Sequence, residues 1–313
     1  MEHRRLGTSG LEVSAIGFGC WAIGGHGYGT VDDNVSKRAI WKALDLGINF
    51  FDTANVYGFG HSESLLSEAL GEHRHEVVIA TKFGVNWDSE GKTYRDCSSS
   101  NILQSLEESL RRLRVDCIPL YQLHWHDGKT GIHAIMETLQ RCRQAGKIRY
   151  IGCCNLASEL IDAAGSSGEL VSVQALYNVK RRENEKTMVD CFHHQMGVVA
   201  YEVLGRGLFS GKFGANPRFG DNDTRGRDPE FQDKELERNI QISRALTEVG
   251  ARHGKSAAQT AIKWVLEKPF VASALVGAKS PGQVEDNVGA LGWTLDEHDL
   301  ERLNRLAGEK VLG

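Results

Sequence analysis

Two short runs, VVIATK (77–82) and IPLYQLH (118–124), are rich in apolar residues, and each ends in an ionisable side chain. Between them lies a stretch with helical period, in which the leucines recur at 103, 106, 110 and 113. A buried strand, an amphipathic helix and a second buried strand form the unit from which parallel sheets are built. The pair therefore predicts an α/β protein.

Eight such runs occur along the chain, separated by about 30 residues on average, and stretches with helical period lie between them. They are IGFGC (16–20), INFFDT (48–53), VVIATK (77–82), IPLYQLH (118–124), IRYIGCC (148–154), VSVQA (171–175), GVVAYE (197–202) and SALVGAK (273–279). No GxGxxG motif follows the first run, and no GxxxxGK[ST] loop is found, which disfavours a doubly wound open sheet. We expect a (β/α)8 TIM barrel.

The ends of the chain and one long internal segment complete this prediction. HRRLGTSGLEVS (3–14) reads as a β-hairpin before the barrel, and helical sequence follows the last run. Residues 205–234 contain Gly, Arg, Asp and Asn without helical period, as is typical of a functional loop. We expect a single domain over 1–313 with an N-terminal β-hairpin and extra C-terminal helices.

Composition excludes several classes of protein. The chain of 313 residues is 41% hydrophobic and 25% charged, with a net charge of −4, and its basic residues are scattered. This balance is typical of an ordered globular protein and disfavours nucleic acid or an anionic membrane as a partner. The start lacks the apolar core of a signal peptide, so a cytoplasmic protein is expected. The seven cysteines include no CxxC pair, which predicts reduced thiols and no metal.

Three of the runs end in groups that could carry chemistry. Asp52, Lys82 and His124 stand at the ends of neighbouring predicted strands, and Tyr57 follows Asp52 by five residues. Each residue alone could cap a helix, be solvated or pack a loop. Together they can form a proton donor, because a nearby cation lowers the pKa of a tyrosine and a buried lysine needs a carboxylate. We expect Lys82 to act on Tyr57, and Asp52 to pair with Lys82.

Several segments resemble the aldo-keto reductase superfamily. They include FDTANVYGFGHSESLLSEAL (51–70), VVIATKFG (77–84) and LYQLHWHD (120–127), and the similarity runs through GKIRYIGCCN and GRGLFSGK to LVGAKSPGQVEDNVGAL. The resemblance implies that Asp52, Tyr57, Lys82 and His124 form the family's catalytic tetrad. Hydride would then pass from a nicotinamide to a carbonyl carbon, Tyr57 would protonate the oxygen, and His124 would orient the carbonyl.

The end of the last run predicts an anion site. Lys279 precedes Ser280-Pro281-Gly282-Gln283, which has the pattern of a capping box with Pro at the first helical position. The exposed N–H groups of a helix start attract anions, and barrels often hold phosphate at this loop. Ordinary helix capping is the alternative interpretation.

The resemblance implies a full cofactor site and NADP(H) in preference to NAD(H), with Lys279 placed for the 2′-phosphate. The residues that match the family's cofactor contacts are Cys20, Trp21, Asp52, Cys154, Asn155, Gln174, Tyr201, Leu204, Gly205, Arg206, Ser210, Lys212, Gly277, Lys279, Gln283, Asp286 and Asn287. Among them, Tyr201 would stack on the nicotinamide. Two departures put the cofactor affinity in doubt, because Cys154 replaces the usual Ser and Glu202-Val203 replaces a frequent Ser-Pro. We expect Glu202 to face solvent or to have a cation partner.

The substrate pocket is expected to use Tyr57, His124, Trp125, Trp21 and Trp87, although core packing would equally explain the tryptophans. The sequence leaves aldehydes, ketones, sugars and polyols as substrate classes.

Two other functions compete with carbonyl reduction. Lys82 could form a Schiff base in a barrel lyase. The chain could also be a non-catalytic, cofactor-binding subunit like the potassium-channel β subunits, although those tend to have Asn at the position of His124. A metal site made from His126, His193 and His194 is disfavoured by their spacing.

Overall fold

A computed structural model describes residues 1–166 and 170–306. Its described strands are β1 (His3–Arg5), β2 (Glu12–Ser14), β3 (Ile16–Gly19), β4 (Phe50–Asp52), β5 (Val78–Phe83), β6 (Val85–Trp87), β7 (Thr93–Arg95), β8 (Ile118–Leu123), β9 (Ile148–Cys154), β10 (Leu170–Leu176), β11 (Gly197–Tyr201) and β12 (Val271–Gly277). Eight of them form a closed parallel barrel in the order β3-β4-β5-β8-β9-β10-β11-β12. These are the eight runs identified in the sequence, so the predicted TIM barrel is confirmed.

The described α-helices lie between and after the barrel strands. They are α1 (Asp33–Asp45), α2 (His61–Leu70), α3 (Ser99–Leu113), α4 (Ile132–Gln144), α5 (Ser158–Gly165), α6 (Glu185–His193), α7 (Asp233–Arg252), α8 (Ala257–Leu266), α9 (Pro281–Val288) and α10 (Glu297–Arg305). Helices α9 and α10 follow the last barrel strand, as the sequence predicts. The single domain expected over 1–313 stays a prediction, because 167–169 and 307–313 lie outside the described residues.

The predicted N-terminal hairpin is present and covers the amino-terminal end of the barrel. Strands β1 and β2 pair antiparallel. Leu6, Leu11 and Val13 form a buried apolar cluster with residues of the barrel strands, among them Phe50 and Val78 at the starts of β4 and β5. The turn begins at Gly7, with a φ of +57°, where a Cβ would lie 2.4 Å from the backbone nitrogen of Gly197. Only glycine fits this close approach.

A loop over 205–231, here called the bridging loop, crosses toward the loop that follows β3. It contains three short 3-10 turns, at Gly205–Ser210, Thr224–Arg227 and Pro229–Phe231. The amide and the hydroxyl of Thr224 both donate to the carbonyl of Gly27, at 3.1 and 2.9 Å. From the other side, Lys279 Nζ donates to the carbonyl of Tyr28 at 2.5 Å. The loop that the sequence identifies as functional therefore closes one side of the barrel mouth.

The prediction of a capping box at the start of α9 is wrong, because the side chains of Ser280 and Gln283 do not make the two hydrogen bonds that define it. Ser280 is the N-cap and Pro281 is the first helical residue, but the Ser280 side chain makes no capping bond to any described residue. Gln283 Oε1 instead accepts from the backbone nitrogen of Lys279 at 2.7 Å, one residue further back. A complete capping box does occur at α8, between Ser256 and Gln259.

All seven cysteines are free thiols, and six of them are buried. Among the described helices, none combines the length and the apolar character needed to cross a membrane.

Candidate active site

A cavity of about 680 Å³ opens at the carboxyl end of the barrel. Its floor and walls include Gly19, Asp52, Tyr201 and Gly277, which are the last residues of four barrel strands. Because all the barrel strands run parallel, their carboxyl ends meet at one rim, where TIM barrels carry their sites. The residues predicted at the strand ends therefore come together here.

A buried ion pair lies at the floor of this cavity. Lys82 Nζ donates to Asp52 Oδ1 at 2.5 Å and to the carbonyl of Thr53 at 2.8 Å. The other carboxylate oxygen, Asp52 Oδ2, accepts from the side-chain amides of Gln122 at 3.0 Å and Gln174 at 2.9 Å. The Lys82 and Asp52 side chains are only 1% and 4% exposed. Buried charges of this kind persist only when they are paired and hydrogen-bonded, as these are.

The pairing keeps Lys82 charged. Burial is the strongest single influence and lowers the pKa of its ammonium group, but the charge and hydrogen bond of Asp52, together with the nearby Tyr57 and Cys154, outweigh it, so the net pKa lies above the usual lysine value. A lysine in this condition is a fixed cation rather than a neutral amine. Its third contact is Tyr57, whose hydroxyl lies 3.3 Å from Nζ.

Tyr57 is held between the ion pair and two aromatic rings. Its ring stacks against Trp21, with centroids 6.1 Å apart, and meets the His124 ring edge-on at 5.8 Å. Burial raises the pKa of Tyr57 to about 12, although Lys82 acts in the lowering direction. The expected influence of Lys82 is therefore present, but the prediction of a net lowering is wrong, because desolvation of the phenolate outweighs the cation. Tyr57 is a protonated hydrogen-bond donor at neutral pH.

His124 is a neutral imidazole at the cavity wall beside Tyr57. Burial, together with the positive charges of Lys82 and Arg95, lowers its pKa well below the usual histidine value. Its Nδ1 is buried and has no hydrogen-bond partner among the described residues. A neutral ring of this kind can donate one hydrogen bond to a carbonyl oxygen without competing for the proton.

Most of the residues predicted to hold a cofactor line the same cavity. They are Cys20, Trp21, Asp52, Asn155, Gln174, Tyr201, Leu204, Arg206, Ser210, Lys212, Gly277, Lys279, Gln283, Asp286 and Asn287. The predicted substrate residues Tyr57, His124, Trp125 and Trp21 line it too. The cavity thus brings the two predicted sets into one space.

Three of the residues predicted to contact the cofactor or the substrate do not line the cavity. Cys154 is buried behind the floor, with its thiol 3.9 Å from Gln122 Oε1. Gly205 is the first residue of the bridging loop and packs against it, since a Cβ there would lie 2.7 Å from the ring of Phe209. Trp87 packs on Phe59, with ring centroids 5.5 Å apart, and Phe59 rather than Trp87 lines the cavity.

Glu202, the departure that puts cofactor affinity in doubt, lines the cavity instead of turning fully to solvent. Its backbone has a positive φ of 53°. Burial raises the pKa of its carboxyl group, while the positive charges of Arg206 and Arg181 act in the opposite direction. The expected cation partner is therefore present only as an attraction at longer range. Arg206 forms its direct ion pair with Asp228, not with Glu202.

Asn155 is fixed in the left-handed region, at a φ of 55°, by two side-chain hydrogen bonds. Its Oδ1 accepts from the Tyr201 hydroxyl at 2.7 Å, and its Nδ2 donates to the carbonyl of His124 at 3.3 Å. This contact joins the ends of β9 and β11 to the segment after β8. The ring of Tyr201 is thereby held in one orientation at the cavity wall.

One half of the cavity is rich in cations. Lys212, Lys279 and Arg225 line it together, and neither lysine has an ion-pair partner in the part of the chain that the structure describes. Burial and the neighbouring cations lower the pKa of both lysines. Such a group of donors attracts an anion, and phosphate groups suit it. Sequence reasoning missed Arg225, although it identified the loop that carries it.

Within residues 1–166 and 170–306, one group of side chains has metal-like spacing: His253, Asp296 and Asp299. Arg252 forms ion pairs with both carboxylates, at 3.2 and 2.5 Å, which offsets the negative charge that would attract a cation. His126 serves its own loop, because its ring is hydrogen-bonded to the carbonyl of Thr130 and to the amide of Gly128.

Comparison with known proteins extends the similarity to the whole chain. The model of the aldo/keto reductase family matches residues 15–307. The chain is 36% identical over 310 residues to aldo-keto reductase YhdN of Bacillus subtilis, covering 98% of this chain and 93% of that protein. It is 30% identical over 307 residues to aldo-keto reductase yakc [NADP(+)] of Schizosaccharomyces pombe, covering 96% and 89%.

A solved structure supports the same assignment. The glycerol dehydrogenase AKR11B4 of Gluconobacter oxydans superposes with a TM-score of 0.90 and is 36% identical, covering 99% of this chain and 96% of that chain. A family match over most of the sequence and a shared closed barrel agree with the strand-end residues assembled in the cavity. The chain belongs to the aldo/keto reductase family and is an oxidoreductase of that family.

Proposed function

We propose that this protein is an NADP(H)-dependent reductase of aldehyde and ketone carbonyls, with Tyr57 as the general acid and base. The observation that carries the proposal is the position of the Tyr57 hydroxyl, 3.3 Å from a lysine that is itself paired with Asp52. That hydroxyl and the neutral ring of His124 lie in the same cavity, so both can reach one carbonyl oxygen.

A bound nicotinamide dinucleotide would supply the hydride. The chain's own residues supply the rest of the reaction. His124 and Tyr57 donate hydrogen bonds to the carbonyl oxygen, and Tyr57 transfers its proton as negative charge develops there. The phenolate that remains is stabilised by the Lys82 cation, which Asp52 keeps charged. In the reverse direction, the same phenolate accepts the proton of an alcohol.

The preference for NADP(H) over NAD(H) rests on the cation-rich half of the cavity. Lys212 and Lys279, which have no ion-pair partner among the described residues, supply charge for more phosphate than a dinucleotide bridge alone carries, and Arg225, paired with Asp223, lies beside them. One relative, the Schizosaccharomyces pombe protein, is named with NADP(+). The expected cytoplasmic location belongs to the same proposal, because seven free thiols suit a reducing compartment.

The test is a panel of aldehydes and ketones in which loss of NADPH absorbance is followed, with the alcohols and NADP⁺ as the reverse panel. We expect turnover of at least one carbonyl class and a lower KM for NADPH than for NADH. A chain that binds neither cofactor and reduces no member of the panel would overturn the proposal.

The two competing functions fare less well. A Schiff-base lysine must lose its proton before it can attack a carbonyl, whereas Asp52 raises the pKa of Lys82. We expect no covalent adduct when borohydride is added with a carbonyl substrate. A purely regulatory cofactor-binding subunit would not require the His124 ring at the cavity wall beside Tyr57.

A further inference from the structure

The rim of the substrate half of the cavity carries an arginine to which sequence reasoning gives no role. Arg95 is the last residue of β7, an edge strand that pairs with β6 in a two-stranded sheet. Its guanidinium carbon lies 4.6 Å from the centre of the Trp125 ring. Trp125 lines the cavity and directly follows His124 in the chain, so the contact brings this cation close to the proposed reaction centre.

The alternation of the strand places Arg95 on the same face as a residue that lines the cavity, so Arg95 lies beside the lining residues rather than among them. In a β-strand, residues two positions apart lie on the same face. Thr93 lines the cavity, and Arg95 is two residues further along β7. Tyr94, between them, lies on the opposite face and is 50% exposed. The stacking contact with Trp125 then fixes the guanidinium at the rim, with donors left for another group.

Arg95 has no carboxylate partner of its own. No ion pair of Arg95 is found in residues 1–166 and 170–306. Two acidic residues of the neighbouring loops are hydrogen-bonded to backbone amides instead: Asp96 accepts from the amide of Ser98, and Asp127 accepts from the amides of Cys97, Lys129 and Thr130. The guanidinium is therefore available to a ligand.

Within residues 1–166 and 170–306, no unpaired carboxylate lines the substrate half of the cavity. Its walls are Trp21, Val56, Phe59, Thr93 and Trp125, around Tyr57 and His124. The acidic side chains that line the cavity are elsewhere. Asp52 is neutralised by Lys82, Glu202 lies at the end of β11, and Asp286 accepts from Ser256 and Gln259. An aromatic wall that ends in a cation suits a molecule with an apolar middle and an anionic end.

We propose that Arg95 forms a subsite for an anionic group, carboxylate or phosphate, at the end of the substrate remote from the reacting carbonyl. The substrate class is then an aldehyde or ketone that carries a negative charge roughly one aromatic ring away from its carbonyl, because Arg95 contacts the Trp125 ring and Trp125 directly follows His124 in the chain. This inference rests on the proposed function, because it assumes that the carbonyl reacts beside Tyr57 and His124. The guanidinium binds such a group through charge-assisted hydrogen bonds.

The test compares 4-formylbenzoate with its neutral analogue 4-formylbenzamide, which has nearly the same shape. We expect kcat/KM with NADPH to be about threefold to tenfold higher for the carboxylate, the range for a rim contact that is partly exposed to solvent. The advantage should shrink as NaCl is raised, because salt screens exposed charges. In Arg95→Gln it should disappear, while reduction of the amide stays within about twofold of the parent protein.

Two further variants separate charge at this position from other effects. Lys92→Gln removes a cation from the turn of the same β6–β7 hairpin, and among the described residues it is Arg95, not Lys92, that contacts the Trp125 ring, so the change should leave kcat/KM for both substrates unaltered. Arg95→Lys keeps the charge and should retain part of the preference. If Arg95→Gln lowers kcat/KM equally for both substrates, Arg95 only supports the fold of the rim, and the subsite is ruled out.

A binding measurement separates this inference from the proposed function. Calorimetric titration of 4-(hydroxymethyl)benzoate and of the corresponding amide does not require turnover. If neither aldehyde is reduced, carbonyl reduction is the proposal that fails, and tighter binding of the carboxylate that is lost in Arg95→Gln still supports the subsite. Equal binding of both compounds, or equal rates for both aldehydes in the parent protein, overturns it.

Discussion

At the scale of single residues, strand ends were the informative signal. The ends of β4, β5 and β8 predict that Asp52, Lys82 and His124 lie close together, because the carboxyl ends of parallel barrel strands meet at one rim. The net pKa of Tyr57 was not predictable in the same way, because it depends on how completely the ring is desolvated. Nor does sequence indicate that Cys154 faces Gln122 rather than the cavity.

Tyr57→Phe tests the proposed acid. The phenylalanine keeps the ring against Trp21 and His124 but removes the proton that the carbonyl oxygen receives in the transition state. We expect kcat for carbonyl reduction to fall by about 10²-fold or more, with NADPH affinity, followed by tryptophan fluorescence, nearly unchanged. Near-normal turnover of every active substrate would show that another group supplies the proton.

Lys279→Ala tests the choice between the two dinucleotides. Lys279 lines the cation-rich half of the cavity, and its ammonium can exchange the Tyr28 carbonyl for a phosphate oxygen. Loss of one charge-assisted contact costs roughly 1.5–3 kcal/mol, so NADPH should bind about tenfold more weakly or worse. NADH affinity, measured by the same fluorescence titration, should hardly change. An equal loss for both dinucleotides would contradict a role at the 2′-phosphate.

At the scale of elements, apolar runs located every barrel strand, whereas details of the helices required three-dimensional contacts. Leu103 fits the helical period of α3 but is 46% exposed, while Ile102 is buried. The helical period identifies the apolar face of α3 only approximately. The packing of α3 against α2 and α4 decides which residues at the edge of that face are buried. The ion pair between Glu63 of α2 and Arg112 of α3 is a second detail that helical period does not indicate, because the two residues are 49 positions apart in the chain.

Arg112→Met tests this link. Glu63 of α2 has a fully buried side chain that accepts from Thr81 Oγ1 and from Arg112 Nε of α3, both at 2.6 Å. Removing the guanidinium leaves a buried carboxylate without its cation, so the free energy of unfolding should fall by about 3–5 kcal/mol. Urea unfolding measures this change. Glu108→Gln removes only the exposed partner of Arg112 and should cost about 0.5 kcal/mol or less.

The double variant Glu63→Gln with Arg112→Met separates charge from packing. It removes the buried charge together with its partner and should recover part of the lost stability. A double variant as unstable as the sum of both single changes would mean that the arginine stem, rather than its charge, supports the two helices.

At the scale of the whole molecule, stability should depend on pH through His124. Its pKa in the folded protein lies well below the unfolded value of about 6.5, so below pH 6.5 the unfolded chain binds a proton that the folded chain does not. The free energy of unfolding should therefore fall by up to about 1.4 kcal/mol per pH unit as pH drops from 6.5, and this contribution should be absent above that pH. Urea unfolding at pH 7.5, 6.5 and 5.5 measures the slope.

His124→Gln should flatten this slope, whereas replacement of the exposed His193 by Gln should leave it intact. The window above pH 5 also avoids carboxyl groups such as Asp223, whose lowered pKa places its own loss of stability at more acid pH. An unchanged slope in His124→Gln would mean that the imidazole is not held neutral by the fold.

The division of the site between strand ends and loops has a consequence for how the sequence of such a protein can evolve. Asp52 and Lys82 belong to barrel strands, whereas Phe59, Thr93 and Trp125 lie on the loops and the small hairpin above them. Replacements in the second group can accumulate without disturbing the buried ion pair, because loops tolerate exchange and cores do not. A descendant of this chain can thus change its substrate specificity while it keeps the same reaction and the same buried ion pair.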